Sequence, residues 1–470
     1  MTTSLPTHPL DALADAVPRP LWLDLHDAPE PTPTLTADTT ADLVIVGGGY
    51  TGLWAALQAK EADPTLDVVL LDADLCGRAA SGRNGGFCAS SLTHGITNGV
   101  ERFAAEMPEL EAHGLANLDA IEAAVATYGI DCDFRRSGEL DVATAPWQLA
   151  ELERSAALAG ALGHDVRMLS AVETRAQVDS PTYLGALEMP RAVAMLDPVG
   201  LAHGLRRACS ALGVRIHEWT PAQRLSTERG TVVVHTPYGR VRAARALLAT
   251  NAFPPLLRRL RNYVFPVYDY VLATEPLTPA QLASIGWTNR QGIGDGANQF
   301  HYYRLTADNR ILWGGYDAVY YYGGPVRAEL TVRQETFGTL ARHFFATFPQ
   351  LEDVRFSHRW GGVIDACSRF CPFVGTALGG KVAYAAGFTG LGVGATRFVA
   401  GVALDKLYGR YTDRSRLALM NTMPLPLPPE PLRWAGVQLT RWSLQRADAQ
   451  QGRRNLWLRT LDRMGLGFDS

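Results

Sequence analysis

Residues 41–72, ADLVIVGGGYTGLWAALQAKEADPTLDVVLLD, constrain this chain more than any other stretch. An apolar run over 43–46 feeds directly into Gly47-Gly48-Gly49-Tyr50-Thr51-Gly52, so Gly47, Gly49 and Gly52 fit G-x-G-x-x-G between a strand and a helix. Gly47 permits the tight turn, Gly49 removes the side chain that would hold a pyrophosphate away, and Gly52 lets the helix predicted over 53–60 pack closely on the sheet. Tyr50 and Thr51 stand where the helix begins, and its amino terminus offers unpaired N–H groups to phosphate. A second strand, 67–71, ends at Asp72-Ala73, where a carboxylate would receive the adenosine ribose hydroxyls. Strand, glycine turn, helix, strand and acid in this order predict a dinucleotide-binding βαβ unit in an α/β fold.

Two further glycine-rich segments extend that site. In LCGRAASGRNGGF, 75–87, Gly85 and Gly86 allow close approach to a flat ligand, and Ser81, Arg83 and Asn84 offer hydroxyl, guanidinium and amide groups. Far downstream, a strand over 382–386 enters Gly387-Phe388-Thr389-Gly390-Leu391-Gly392-Val393-Gly394, and a helix follows. This second strand-to-helix turn again points amides at an anion, and a flavin ring gains negative charge on reduction. NAD gives no reason for two glycine sites so far apart, whereas a long, bent FAD does. Asn251, after the apolar strand 245–250, is expected at the same crevice.

A length of 470 residues calls for more than one domain. The nucleotide domain is expected to be assembled from 41–100, 193–264 and 356–410, and a substrate or cap domain from 101–192 and 265–355. An N-terminal arm, 1–40, and a C-terminal extension, 411–470, complete the division. In the cap, 301–305 and 310–316 read as paired strands joined at Ala307-Asp308-Asn309. Tyr268, Tyr302, Tyr303, Tyr316 and Tyr320 are pocket-wall candidates there, and Arg304 is a candidate clamp for a substrate carboxylate. In the extension, the proline-rich 424–432 precedes Trp434, Trp442 and Trp457 with interspersed arginines. Helices packed back on the body are expected there, with peripheral membrane or protein contact as the alternative.

A net charge of -3 argues against a nucleic-acid partner. Six scattered cysteines suit a reducing compartment; with no signal-like core and no long apolar run, a cytoplasmic protein is expected. Cys367-x-x-x-Cys371 lacks the companions of a metal site, so no metal is expected.

VIVGGGYTGLWAAL, the SGRNGG segment, YYRLTADNRILWGG at 302–315 and AGFTGLGVGA at 386–395 together resemble the FAD-dependent amine and amino-acid oxidoreductases of the D-amino-acid oxidase superfamily, above all the gamma-glutamylputrescine oxidase-like branch. The resemblance implies a glutathione-reductase-type, Rossmann-like FAD domain with an inserted antiparallel-sheet substrate domain and a helical C-terminal tail. It puts Gly47, Gly49, Gly52 and Asp72 on the ADP half, Ser81, Arg83 and Asn84 beside pyrophosphate and flavin, and 387–394 under the pyrimidine edge. Phe388 stands where many relatives have histidine. With no convincing counterpart of the flavin-linking cysteine, non-covalent FAD is expected, and Cys371 is the residue to check. The implied activity is oxidation of a small-molecule amine or amino acid at a C–N bond, with Tyr302, Arg304, Tyr316 and Phe388 as catalytic candidates. Oxygen is the expected acceptor. Lysine occurs only at Lys60, Lys381 and Lys406, and the absence of one between Asp63 and Gly380 favours the alternative, a dehydrogenase using a quinone or carrier. A non-catalytic flavin-binding scaffold is the third reading.

Overall fold

The computed structural model describes residues 9–467. Its first sheet has eight strands, with Thr39–Val46 at the centre. That strand pairs in parallel with Val68–Leu71 on one side and Gly239–Leu248 on the other. Arg215–His217 extends one flank; Val382–Ala386 and Phe373–Ala377 extend the other, while Arg224–Glu228 and Thr231–Thr236 complete the sheet as a hairpin. Leu43, Val44, Ile45 and Val46 are all buried, which is why this segment is continuously apolar: a parallel strand covered on both faces has no polar side to show.

Helix Gly392–Leu407 packs against both Tyr50–Ala62 and Met107–Thr127, in a core that includes Leu53, Leu57, Leu118, Ile121, Val399 and Ala403. A Cβ on Gly52 would stand 1.8 Å from the Gly47 carbonyl oxygen, so the close approach of helix to turn admits glycine alone. Met107–Thr127 was expected in the cap, yet its apolar stripe at Leu110, Leu118 and Ile121 joins the nucleotide-side core.

The second sheet runs Phe356–Ala366, Phe265–Thr274, Ile311–Gly315, His301–Leu305, Gly292–Asp295, Glu139–Ala143, Gly185–Met189, Arg167–Ser170. The expected hairpin is present, with His301 opposite Gly315 and Asn309 at φ +65° in the turn. Phe356–Ala366 was expected in the nucleotide domain. It instead pairs along its whole length with Phe265–Thr274, and the crossing back to the first sheet comes only at Phe373. Tyr183, Tyr303, Trp313, Phe344 and Phe348 fill the core behind this sheet.

The N-terminal segment runs over this body. Val17 exchanges backbone hydrogen bonds with Ser357 and Arg359, and Trp22 is buried. The helices Leu432–Ala449 and Leu456–Arg463 fold back onto the second sheet's side. Among the described residues no helix is long and apolar enough to cross a membrane.

Candidate functional site

Both sheets contribute to one cavity of about 1900 Å³, above the roughly 300–1,000 Å³ usual for a single small molecule. At one end lie Gly47, Gly49, Tyr50 and Thr51. Gly47, at φ +110°, makes the turn, and a Cβ on Gly49 would meet only the Ser81 hydroxyl, at 3.1 Å. Ser81 itself accepts the Tyr50 N–H at 3.0 Å, which fastens the 81–86 loop to the helix start. Asp72 and Ala73 follow at the end of the second strand. The Asp72 carboxylate accepts the N–H of Gly48 at 2.6 Å and of Asp74 at 2.8 Å; burial outweighs both and pushes its carboxyl up to about 6.

The 81–86 loop divides its duties. Ser81, Arg83, Asn84 and Gly85 line the cavity, and the Arg83 guanidinium donates to the Gly361 carbonyl at 3.2 Å. The Asn84 amide is used within the loop, donating to the Ala80 and Ser81 carbonyls and accepting the Gly86 N–H, so it shapes the loop and has no spare donor for a ligand. Gly86, expected at the ligand, lies behind the wall: at φ +77° a Cβ there would stand 2.2 Å from the Leu196 carbonyl oxygen. Indoles of Trp22 and Trp360 donate to the carbonyls of Asn84 and Arg83 and brace the loop from outside.

At the second glycine turn, Phe388, Thr389, Gly390, Leu391 and Gly392 line the cavity, and the helix beginning at Gly392 has no side-chain cap. Gly387 does not reach it. Its N–H donates to Asp365 at 2.6 Å and that of Phe388 to the same carboxylate at 3.2 Å, so the first two amides of the turn are already taken. Burial pushes the Asp365 carboxyl up to about 7 against those two donors. Nothing local to the turn signals Asp365, 22 residues earlier. Asn251, at φ +49°, joins the lining beyond the strand Gly239–Leu248.

The second sheet supplies the opposite wall: Asp269, Tyr302, Tyr316 and Tyr268, with Phe87 and Glu139 beside them. Tyr302 donates to Asp269, lies over Gly314 and meets Phe87 edge to face with centroids 5.7 Å apart. Burial pushes the Asp269 carboxyl up to about 6. Tyr316 stacks on His301 at 5.5 Å. Tyr303 and Tyr320 are packing residues, one in the aromatic core and the other bonded to Glu430.

Arg304 is corrected. It is 2% exposed and absent from the wall; its guanidinium donates to the carbonyls of Leu196 at 2.6 Å and Gly86 at 3.3 Å. Although two residues from Tyr302 and on the same face of the strand, it is covered by the segments carrying those two carbonyls. It ties the 81–86 loop to the body and has no route to a substrate carboxylate.

The sequence model of the FAD dependent oxidoreductase family, DAO, matches residues 42–405. The chain belongs to this family. Gamma-glutamylputrescine oxidoreductase of Escherichia coli K12 is 32% identical over 84% of this chain and 90% of that protein. A probable oxidoreductase, OrdL, of Haemophilus influenzae is 27% identical over 87% of this chain and 91% of its own. The glycine oxidase structure from Geobacillus kaustophilus superposes with a TM-score of 0.66 at 18% identity, covering 82% of this chain and 98% of that one.

The cofactor of the family is FAD, and the residues present fit it. Two helix starts without side-chain caps face one cavity, a Cβ on Gly49 would be close only to Ser81, and Asp72 lines the same cavity at the end of the second strand. Cys371 is fully buried in the core away from the cavity, whereas Cys367 is the one cysteine on the wall among the described residues. The Cys367 thiol donates to the Cys371 and Gly387 carbonyls. His94, which the sequence reading passed over, lines the cavity with its Nε2 4.0 Å from where a Gly390 Cβ would stand, and burial lowers its pKa. No cluster of metal-ligating residues occurs among the described residues.

Proposed function

We propose that this chain oxidises an amine or amino acid at a C–N bond, with oxygen as electron acceptor and hydrogen peroxide as product. The observation that carries the reading is the Tyr302–Asp269 pair on the wall of the same cavity that both glycine turns enter. The 32% identity to a gamma-glutamylputrescine oxidoreductase supports a nitrogen-bearing substrate.

Bound FAD would supply the hydride acceptor. Asp269, ionised above about pH 6, receives the substrate ammonium and takes its proton, leaving the neutral amine from which hydride can depart. Tyr302 holds that carboxylate through its hydroxyl. The aromatic faces of Phe87, Tyr302 and Tyr316 suit the substrate ammonium. The imine product is hydrolysed by water. In this reading Phe388 is an apolar filler of the wall, 3% exposed, that excludes water from the turn.

A second reading, a dehydrogenase passing electrons to a quinone or carrier, has its own support. Lys60, Lys381 and Lys406 donate to the backbone carbonyls of Pro64, Gly230 and Met420, so none serves the cavity. His94, with its lowered pKa, is not a standing cation at neutral pH. That leaves the uncapped helix start at Gly392 and the Arg83 guanidinium as positive groups for oxygen chemistry.

Anaerobic bleaching near 450 nm by amines, amino acids and 2-hydroxy acids tests the substrate class; bleaching by hydroxy acids and never by amines overturns it. Aeration of the reduced protein then tests the acceptor. Reoxidation within seconds with stoichiometric peroxide is expected, and reoxidation over minutes that a quinone analogue makes fast establishes the dehydrogenase.

A further inference from the structure

The helices Leu432–Ala449 and Leu456–Arg463 lie beyond the span of the family match, 42–405, yet they form a wall of the cavity. Val437, Arg441 and Leu444 on the first, and Trp457, Leu461 and Met464 on and just after the second, line it. Both triplets follow i, i+4, i+7, so each helix presents one stripe to the cavity. Val437 packs at the edge of the small Phe265, Tyr320 and Ala366 cluster, while the rest of the stripe belongs to no buried core. Within Leu432–Ala449 only Ser443 and Ala447 are buried, and Leu439 and Trp442 are exposed on the other faces.

Polar contacts keep the pair in place. Arg441 donates to Asp317, whose other oxygen takes Arg333 at 2.7 Å and the Thr336 hydroxyl at 2.6 Å. Asp448 accepts the Asn298 N–H and side-chain amide, at 2.9 and 2.7 Å, and the Gln299 N–H at 3.1 Å. Gln438 donates to the Tyr320 carbonyl at 3.0 Å, and the Trp457 indole to Thr440, which joins the second helix to the first. Asp317, Asn298, Gln299 and Tyr320 all belong to the segments around the hairpin that carries Tyr302 and Tyr316. The wall is thus registered against the sheet that faces the substrate.

Resting on the amine reading above, we propose that this helix pair sets substrate specificity: Leu444, Trp457 and Leu461 contact the part of the amine remote from the reacting C–N bond and select an extended, uncharged stem over a short one. Arg441 and Asp317 are positioning residues that hold the stripe at its distance.

The test uses the full-length FAD-loaded protein and a series of linear primary monoamines from two to eight carbons. Flavin reduction followed anaerobically by stopped flow gives a limiting rate and an apparent Kd for each amine. Trp457→Ala and Leu444→Ala should raise the Kd of the longest amines about tenfold or more and leave that of the two-carbon amine within about twofold. Arg441→Met should reproduce the same chain-length dependence, because it releases the stripe from Asp317. Equal losses for short and long amines, or no loss for long ones, overturn the proposal. If amines never bleach the wild type, the amine reading has failed; the same variants are then compared across chain length in whichever class bleaches or perturbs the flavin spectrum, so the wall is judged on its own.

Discussion

The Tyr302 hydroxyl donates a 2.5 Å hydrogen bond to the Asp269 carboxylate, across the intervening strand that carries Gly314. The ring can lie flat there because Gly314 has no side chain: a Cβ would stand 2.5 Å from the ring. A carboxylate that is buried, hydrogen-bonded and open to a cavity is suited to hold an ammonium.

That pair predicts an acid limb in the pH profile. Burial, with the charge of Asp317 acting the same way, pushes the Asp269 carboxyl up to about 6, while the Tyr302 hydroxyl and two backbone N–H groups oppose it. Below that pH the group is protonated and loses its hold on the ammonium. kcat/KM should fall about tenfold per pH unit below pH 6. Asp269→Asn should flatten this limb and lower the plateau by about ten- to hundredfold, the loss of one hydrogen bond to a charged group. Persistence of the limb in the variant would assign it to another acid, Asp365 first.

Asp365 predicts a pH dependence of stability. Its folded pKa of about 7 lies above the ordinary 3.8, so its protonated form favours the fold. The contribution is complete below about pH 4 and lost as pH rises through 7. Thermal melts of wild type and Asp365→Asn with excess FAD should therefore show the balance shifting towards the variant between pH 5 and pH 8. A constant difference across that range would contradict the shift.

Gly49 and Gly52 predict opposite failures. Gly49→Ala adds a methyl whose nearest neighbour is the Ser81 hydroxyl, at 3.1 Å on the cavity side, so the protein should fold and bind FAD more weakly by about tenfold or more. Gly52→Ala meets a backbone oxygen at 1.8 Å and should yield little folded protein. Flavin titration of each purified chain, with circular dichroism as the check on folding, separates the two.

For Arg304→Met, loss of stability by about 1–3 kcal/mol is expected, since the Leu196 and Gly86 carbonyls lose a buried donor. Turnover of carboxylate-bearing and neutral amines should fall together. A loss confined to carboxylate substrates would restore the clamp that the burial of this residue argues against.

Acid precipitation should release the flavin completely into the supernatant, with the protein pellet colourless. Mass analysis of the Cys367 and Cys371 peptides should give unmodified masses. Flavin retained on the Cys367 peptide would show that the one thiol on the wall is linked after all.

What the sequence made legible was local. The first glycine turn could be read residue by residue because strand, turn, helix and acid lie within 41–72, and their contacts are with each other. The second turn was found, but its occupant was not: Asp365 reaches Gly387 only because two sheets exchange the chain between Ala366 and Phe373. Tyr302 and Arg304 alternate on one face, and strand periodicity treats them alike; only the placement of Leu196 and Gly86 over Arg304 separates wall from strut. The stripe at Val437, Arg441 and Leu444 reads as helix in sequence, with nothing to say that it faces a cavity instead of a core.

The central strand of the first sheet has its two neighbours at very different distances along the chain. Leu43 pairs with Val68 nearby, but also with Arg245, so the nucleotide half cannot finish its sheet until everything between has been made and moved aside. Closing so long a loop before any parallel pairing rewards it is slow. Refolding should accordingly be paced by the arrival of Gly239–Leu248 beside Thr39–Val46, with the flavin site the last local structure to acquire its full shape and the intermediate before it exposing two apolar strand edges.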